Sequence, residues 1–237
     1  MLGKKILRKL LAASLAVGVF TFTPQINDFN FISTAQAAKQ VFKPVLTAKD
    51  QIQKAINLYN QGNIQEAFKY FDMAIKMDPY MAEAYEVRGD AYLKLGENSQ
   101  ADSEAISAYN KAIDDYNKAV SLDRTNATTY YKKIAVAYYK RGVVHSDNKR
   151  YDAAKDDLNK ALEFDPTYAP AYFRRGFIYG EVIKYYDVGI VNYYAAIYFE
   201  PNNAEYYYWR GKCYQALRQT EKANADFAKA KQLGYKE

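Results

Sequence analysis

Apolar and small residues along this chain recur at intervals of three and four, the spacing that lines one face of a helix. The phrases they form then return. Tyr207-Tyr208-Trp209-Arg210-Gly211 near the end echoes Tyr172-Phe173-Arg174-Arg175-Gly176. That echoes Tyr138-Tyr139-Lys140-Arg141-Gly142 and Tyr85-Glu86-Val87-Arg88-Gly89. A second phrase follows the first in most copies: Ala154, Leu158, Ala161 and Asp165-Pro166, or Ala67, Phe71, Ala74 and Asp78-Pro79. Helical periodicity holds from residue 48 to 233, which predicts at least ten helices and no sheet. Full copies return about every 34 residues, a helix-turn-helix unit that cannot bury its apolar face alone and therefore stacks on its neighbours.

Five copies align on these positions. The first is 48–81, with Ala55, Leu58, Ala67, Phe71, Ala74 and Pro79, and Thr47 with Asp50 reads as a capping-box variant at its start. The second, 82–126, has Tyr85, Gly89, Tyr92, Ala112, Tyr116 and Ala119. The third, 135–168, has Tyr138, Gly142, His145, Ala154, Leu158, Ala161 and Pro166. The fourth, 169–203, has Tyr172, Gly176, Tyr179, Gly189, Tyr193, Ala196 and Pro201, with one extra residue assigned to its turn. The fifth, 204–237, has Tyr207, Gly211, Tyr214, Ala223, Phe227 and Ala230. This pattern resembles the tetratricopeptide repeat family. The resemblance implies an all-α fold, a right-handed α-solenoid of about five helix-turn-helix repeats.

Two departures from the repeat stand out. The second copy holds extra residues from Ser99 to about Tyr109, and Ala101, Ala105, Ile106, Ala108 and Tyr109 keep helical spacing there. This insert is expected to lengthen a helix by about three turns with its apolar face in phase. Residues 127–134 again read as about two helical turns, extending the first helix of the third copy toward its N-terminus. The fifth copy has polar Asn224 and Lys231 where earlier copies have Phe68, Ile113 and Ile190, or Ile75, Val120, Leu162 and Ile197. A terminal repeat has this polarity, since no neighbour covers it.

One pair of positions varies together. The seventh position is Arg88, Arg141, Arg175 and Arg210 in copies two to five, and the facing position on the second helix is Asp115, Asp157, Asn192 and Asp226. Copy one has Lys54 and Tyr70 instead. This predicts an ion pair between the two helices of a repeat, with a structural rather than a ligand-binding role.

Composition changes the picture mainly at the N-terminus. Lys4, Lys5, Arg8 and Lys9 precede a short apolar run from Leu10 to Phe22, and Ala35-Gln36-Ala37 is a small-residue cleavage site before Ala38. Residues 1–37 read as a secretory signal peptide and 38–47 as a leader segment. The alternative is an uncleaved membrane anchor, but the run is short for a bilayer-spanning helix and polar residues appear from Thr21 onward, so the mature chain is expected to be extracytoplasmic and not membrane-spanning. Cleavage would lower the formal net charge from +6 to +3, because the leader holds four basic residues and one acid. No Lys/Arg stripe remains, so a nucleic-acid partner is not expected.

Candidate chemistry is sparse. His145 is the only histidine and occupies an aromatic packing position; Cys213 is the only cysteine and occupies a small buried one. Asp114-Asp115 and Asp156-Asp157 are neighbours on helices and point about 100° apart, so they do not converge. No phosphate loop, nucleophile elbow or metal-ligand spacing occurs, and neither catalysis, nor a cofactor, nor a bound metal is expected.

What remains is a binding face. The family resemblance implies that first helices line a concave groove, and it places Tyr139, Val143, Phe173, Phe177, Tyr208 and Lys212 there with Trp209 beside them. The same aromatics could instead be covered internally. Chaperone-binding members clamp a carboxylate with Lys and Asn at positions that are Ile52 and Ile56 here, so that clamp is absent. The expected function is an exported scaffold that takes a peptide or protein segment in this groove. The alternative is a chaperone-like or assembly subunit of a cell-envelope secretion, pilus or outer-membrane machine.

Overall fold

The computed structural model describes residues 46–236, so the signal peptide expected at 1–37 lies outside the described residues. Among the described residues all regular structure is helical. The helices pair into five hairpins: α1 (Ala48–Asn60) with α2 (Ile64–Met77), α3 (Ala82–Asn98) with α4 (Asp102–Leu122), and α5 (Ala127–Asp147) with α6 (Tyr151–Phe164). They continue with α7 (Ala169–Phe177) and α8 (Tyr186–Phe199), then α9 (Ala204–Ala216) and α10 (Thr220–Gln232). Each second helix packs on the first helix of the next hairpin, and consecutive first helices touch from the first hairpin to the fourth. The result is a solenoid whose first helices form one layer and second helices the other.

Local chemistry sets the ends of these helices. Thr47 and Asp50 cap α1 reciprocally: the Asp50 amide donates to Thr47 Oγ1 at 3.2 Å, and the Thr47 amide donates to Asp50 Oδ2 at 2.7 Å. Within four hairpins the turn holds one residue in the left-handed region, Gly62, Lys149, Lys184 or Arg218. Between hairpins, Asp78, Asp123 and Asp165 end the second helices, each accepting from the amide two residues on. The proline after the helix then blocks continuation and offers its carbonyl. Tyr85, Tyr172 and Tyr207 donate their hydroxyls to Pro79, Pro166 and Pro201, which ties the next first helix to the linker.

Hairpin packing depends on the absence of a side chain opposite an aromatic ring. A Cβ on Gly89 would lie 2.7 Å from the Tyr116 ring, and one on Gly96 would lie 2.6 Å from the Tyr109 ring. These two contacts are seven residues apart on each strand of the hairpin, two helical turns. The insert therefore repeats the packing unit of the second hairpin. It is shared by both helices, not confined to one: α3 has 17 residues and α4 has 21, against 13 and 14 in the first hairpin. Helix α5, with 21 residues, takes in 127–134 as expected.

The fourth copy corrects the sequence reading in one respect. Its extra residue is not in the turn. The left-handed residue Lys184 holds the same place before α8 as Lys149 holds before α6. The addition is absorbed upstream, where α7 widens into a π-helical segment, Ile178–Val182. A single residue inserted within a helix whose two sides keep their packing is accommodated as a local widening to i→i+5 bonds. Gly180 in this segment meets Gly189 of α8 and Cys213 of α9. A Cβ on Gly180 would sit 2.8 Å from Cys213 Sγ, and one on Gly189 would sit 2.9 Å from Gly180 Cα.

The seventh-position arginines hold three helices each. Within the hairpin, Arg88 Nε donates to Asp115, Arg141 Nε to Asp157 and Arg210 Nε to Asp226, all at 2.8 Å, and Arg175 Nε donates to Asn192 at 2.7 Å. Lys54 donates to the Tyr70 hydroxyl in the first hairpin. The remaining guanidinium edge reaches the preceding second helix. Arg88 bonds Asp72, Arg141 bonds Asn110 and Arg175 bonds Asn159, while Arg210 lies over the Tyr194 ring at 4.1 Å. Asn110 stands seven residues before Asn117, its counterpart by alignment, because the third hairpin packs two turns along on the lengthened second one.

Truncating one partner leaves the other charge buried. Asp226→Ala, whose side chain and that of Arg210 are 8% and 10% exposed, is expected to cost about 3 kcal/mol. Asp152→Ala, at an exposed pair with Lys155, should stay within about 0.5 kcal/mol. Chemical denaturation of both variants checks this, and equal losses would show that the guanidinium pair does not hold the fold.

Candidate functional site

The first-helix layer changes character along the array. Between α1 and α3 an open cleft of about 340 Å³ is lined by Ile56, Tyr59, Asn60, Val87, Asp90 and Lys94, among others. Tyr59 spans its floor by donating to the Ala91 carbonyl at 3.0 Å. Between α3 and α5 the surface is closed by ion pairs. Lys133 Nζ lies 2.8 Å from Glu86 and 2.7 Å from Asp90, and Lys140 Nζ lies 2.9 Å from Glu97. Between α5 and α7, Arg174 pairs with Asp147.

Between α7 and α9 the contact becomes aromatic. Phe177 meets Trp209 edge-on at 5.1 Å, and Trp209 meets Tyr208 in the same way at 5.4 Å. Arg174 lies 5.8 Å from the Phe177 ring. Tyr208 also stacks on Tyr235 at 4.2 Å, and these two rings with Phe227 border a cleft of about 380 Å³ at the last hairpin. Tyr235 reaches this place because Gly234, with φ of 93°, ends α10 and turns the chain back.

The structure places the seven sequence-selected groove residues on three first helices, all half-buried. Phe177, Tyr208 and Trp209 come together, with Lys212 one turn beyond Tyr208. Phe173 packs inward between the fourth and fifth hairpins, 4.9 Å from Tyr206 on α9 and 5.9 Å from Tyr193 on α8. Tyr139 stands apart, edge-on to Tyr168 at 5.3 Å, and Val143 lies one turn further along α5. The cleft between α1 and α3 was not selected from the sequence. Its signal was there in Ile56 and Tyr59, apolar residues three apart on α1 that border the Ala55 core cluster and are only half-buried. The basic partners of Glu86 and Asp90 were equally unread, because Lys133 belongs to the helical extension outside the repeat.

The remaining titratable candidates are packed groups. Burial, with Glu181 nearby, pushes the Cys213 thiol up to about 12, so it stays protonated at neutral pH. His145 Nδ1 is buried without a hydrogen-bond partner, and Nε2 lies 3.8 Å from Asp157. Burial holds the imidazole below its usual range; Asp157 opposes this and the Arg150 and Arg141 cations add to it. Among the described residues no His, Cys, Asp and Glu side chains group as a metal site. Among the described residues, too, no helix is long and apolar enough to cross a membrane.

A stack of helical hairpins, each second helix packed on the first helix of the next hairpin, is a helical-repeat solenoid in class. Residues 52–127, 135–168 and 204–233 match models of the tetratricopeptide repeat. The protein is a tetratricopeptide repeat protein. Solved structures share its fold. One of MamA is 24% identical, with a TM-score of 0.52 over 78% of this chain and 91% of that one. A second of MamA is 25% identical, with a TM-score of 0.50 over 76% and 93%. MamA from residue 41 onward, from Desulfovibrio magneticus RS-1, is 22% identical with a TM-score of 0.50 over 78% and 94%. No curated protein sequence matches the chain.

The histidine gives this region a pH dependence with a definite sign. A histidine whose pKa is lowered on folding binds its proton more readily in the unfolded chain. Stability is then full above the unfolded value of about 6.5 and falls as pH drops through it. The melting temperature is expected to fall between pH 7.5 and 5.5. His145→Phe, which restores an aromatic at that position, should flatten this part of the profile; an unchanged slope would assign the dependence elsewhere.

Proposed function

We propose that this protein is an exported scaffold that binds a peptide or protein segment along its first-helix face, over Tyr139, Val143, Phe173, Phe177, Tyr208, Trp209 and Lys212. The observation that supports this most is the Phe177–Trp209–Tyr208 cluster. Three aromatic rings from two helices are half-buried and edge-on to one another on a face where the preceding helix contacts are ion pairs. Half-buried aromatics held by their neighbours lose little entropy on binding and commonly dominate interface energies. Lys212, one turn from Tyr208, supplies a cation for a carboxylate or acidic side chain of the bound segment. Phe173 adds support from below, through Tyr206. Export rests on the leader read in residues 1–37.

The partner is to be captured from the envelope or secreted fraction of the producing cell and its affinity measured directly. Phe177→Ala is expected to weaken binding about thirtyfold, equivalent to about 2 kcal/mol, with little change in melting. Tyr207→Ala should do the reverse, because the Tyr207 hydroxyl is spent on Pro201 and its ring on Arg210. Unchanged affinity in Phe177→Ala would remove the aromatic face from the site. N-terminal sequencing of the protein from its own cell is expected to begin at Ala38, and an intact Met1 terminus would overturn export by cleavage.

A further inference from the structure

Helix α8 is apolar on both faces. Gly189, Ile190, Tyr193 and Ala196 are buried in the hairpin. The opposite side exposes Val188, Val191, Tyr194 and Tyr198, with Tyr185 just before the helix and Phe199 at its end. Tyr198 is 79% exposed and Val191 67%. Spacings of three and four put Val188, Val191, Tyr194 and Tyr198 on one stripe, with Phe199 at its edge. The matching outward positions of the other second helices are largely polar: Glu66, Lys69, Asp72 and Lys76 on α2, and Asp156, Asn159 and Glu163 on α6. On α8 the sole charged side chain is Asp187. A helix that is apolar all round is one that is covered all round.

The stripe is also held rigid. Arg210, locked on Asp226, lies against the Tyr194 ring at 4.1 Å, and the Tyr194 and Tyr214 hydroxyls are 3.1 Å apart.

We propose that this face is the contact between two copies of the chain, with α8 packed antiparallel on α8 about a two-fold axis. The stripe is centred between Val191 and Tyr194, so a two-fold there sets Val191 against Tyr194 of the second copy. It brings Asp187 to the Tyr198 hydroxyl of the second copy. It also brings Lys184, at the N-terminal end, to Glu200 of the second copy, at the C-terminal end. Both are exposed in the single chain, where Lys184 lies 4.0 Å from Glu181 and Glu200 accepts from the Tyr206 hydroxyl with one oxygen, and both contacts form twice, as an isologous interface requires. Antiparallel helix dipoles favour the same arrangement. The area fits as well. Tyr185, Tyr194, Tyr198 and Phe199 are 62, 53, 79 and 36% exposed, which at roughly 200 Å² per ring is on the order of 450 Å² of aromatic surface. A stable dimer buries about 800 Å² per partner, somewhat over half of it apolar. Polar neighbours around the stripe supply the rest.

Sedimentation equilibrium of the full chain tests this. Wild type is expected to reach twice the monomer mass of 27.2 kDa within the range of about 1–100 µM, the affinity of an interface of modest size. Val191→Asp and Tyr198→Lys should remain monomeric with unchanged helicity and melting, since both side chains are exposed in the single chain. Lys184→Glu should weaken the dimer about threefold, and adding Glu200→Lys should recover what either reversal loses. A wild type that stays monomeric overturns the proposal, as does association that Val191→Asp leaves intact. Vesicles of phosphatidylcholine and phosphatidylglycerol are the second arm. A monomeric wild type that floats with them, in a manner abolished by Val191→Asp, would assign the stripe to a lipid surface and overturn the dimer.

Discussion

A single guanidinium, used four times, sets the geometry of this solenoid. Its Nε edge is held by an acid or amide on the second helix of its own hairpin. In three cases its other edge bonds the second helix of the hairpin before, and in the fourth it stacks on Tyr194. Arginine alone offers planar donors in two directions from one rigid group. Such a buried pair contributes more to relative placement than to net stability. Helix pairs joined by apolar packing alone could slide past one another by a turn. The arginine allows one register and passes it from hairpin to hairpin. Where nothing precedes it among the described residues, in the first hairpin, the fork is replaced by Lys54 and Tyr70.

Because register is transmitted in this way, length changes are tolerated only in whole turns. The second hairpin grows with its Gly–Tyr contact duplicated seven residues on, and the third hairpin shifts by the same seven residues so that Arg141 finds Asn110 in place of Asn117. The fourth hairpin has one residue too many for this rule and resolves the excess as a π-helical turn. Gly180 and Gly189 permit the closer approach that results. That hairpin also carries the neutral Asn192 in place of aspartate and the helix that is apolar on both faces. The copy whose first helix breaks into a π-helical turn is thus the one in which both layers offer apolar surface, at Phe177 inside and Val191 outside.

The inner face owes its differences to what each pair of first helices had left over after register was satisfied. Acids on α3 find lysines on α5, Lys133 on its extension and Lys140 within the repeat, and that part of the face is neutralised. Farther along, between α7 and α9, aromatic rings meet instead. The apolar part of the inner face is therefore concentrated at particular hairpins, which the rest of the array holds at fixed spacing.

The amino-acid sequence by itself determined the repeat, the helical class, the hairpin boundaries' periodicity and the partner of each arginine within a hairpin. These follow from local spacing and from paired substitutions that a single chain displays five times over, as when Lys54 and Tyr70 replace Arg and Asp together. Only the tertiary structure decided which inner-face aromatics meet one another. Tyr139 and Phe173 occupy the same position of the repeat, yet one faces Tyr168 and the other Tyr206, because side-chain neighbours across hairpins depend on the accumulated register. The division of the insert between α3 and α4, the π turn in place of a longer loop, and the second arginine contact were decided there too. Each is a choice among conformations that satisfy the same apolar spacing, and packing against a distant segment selects one of them.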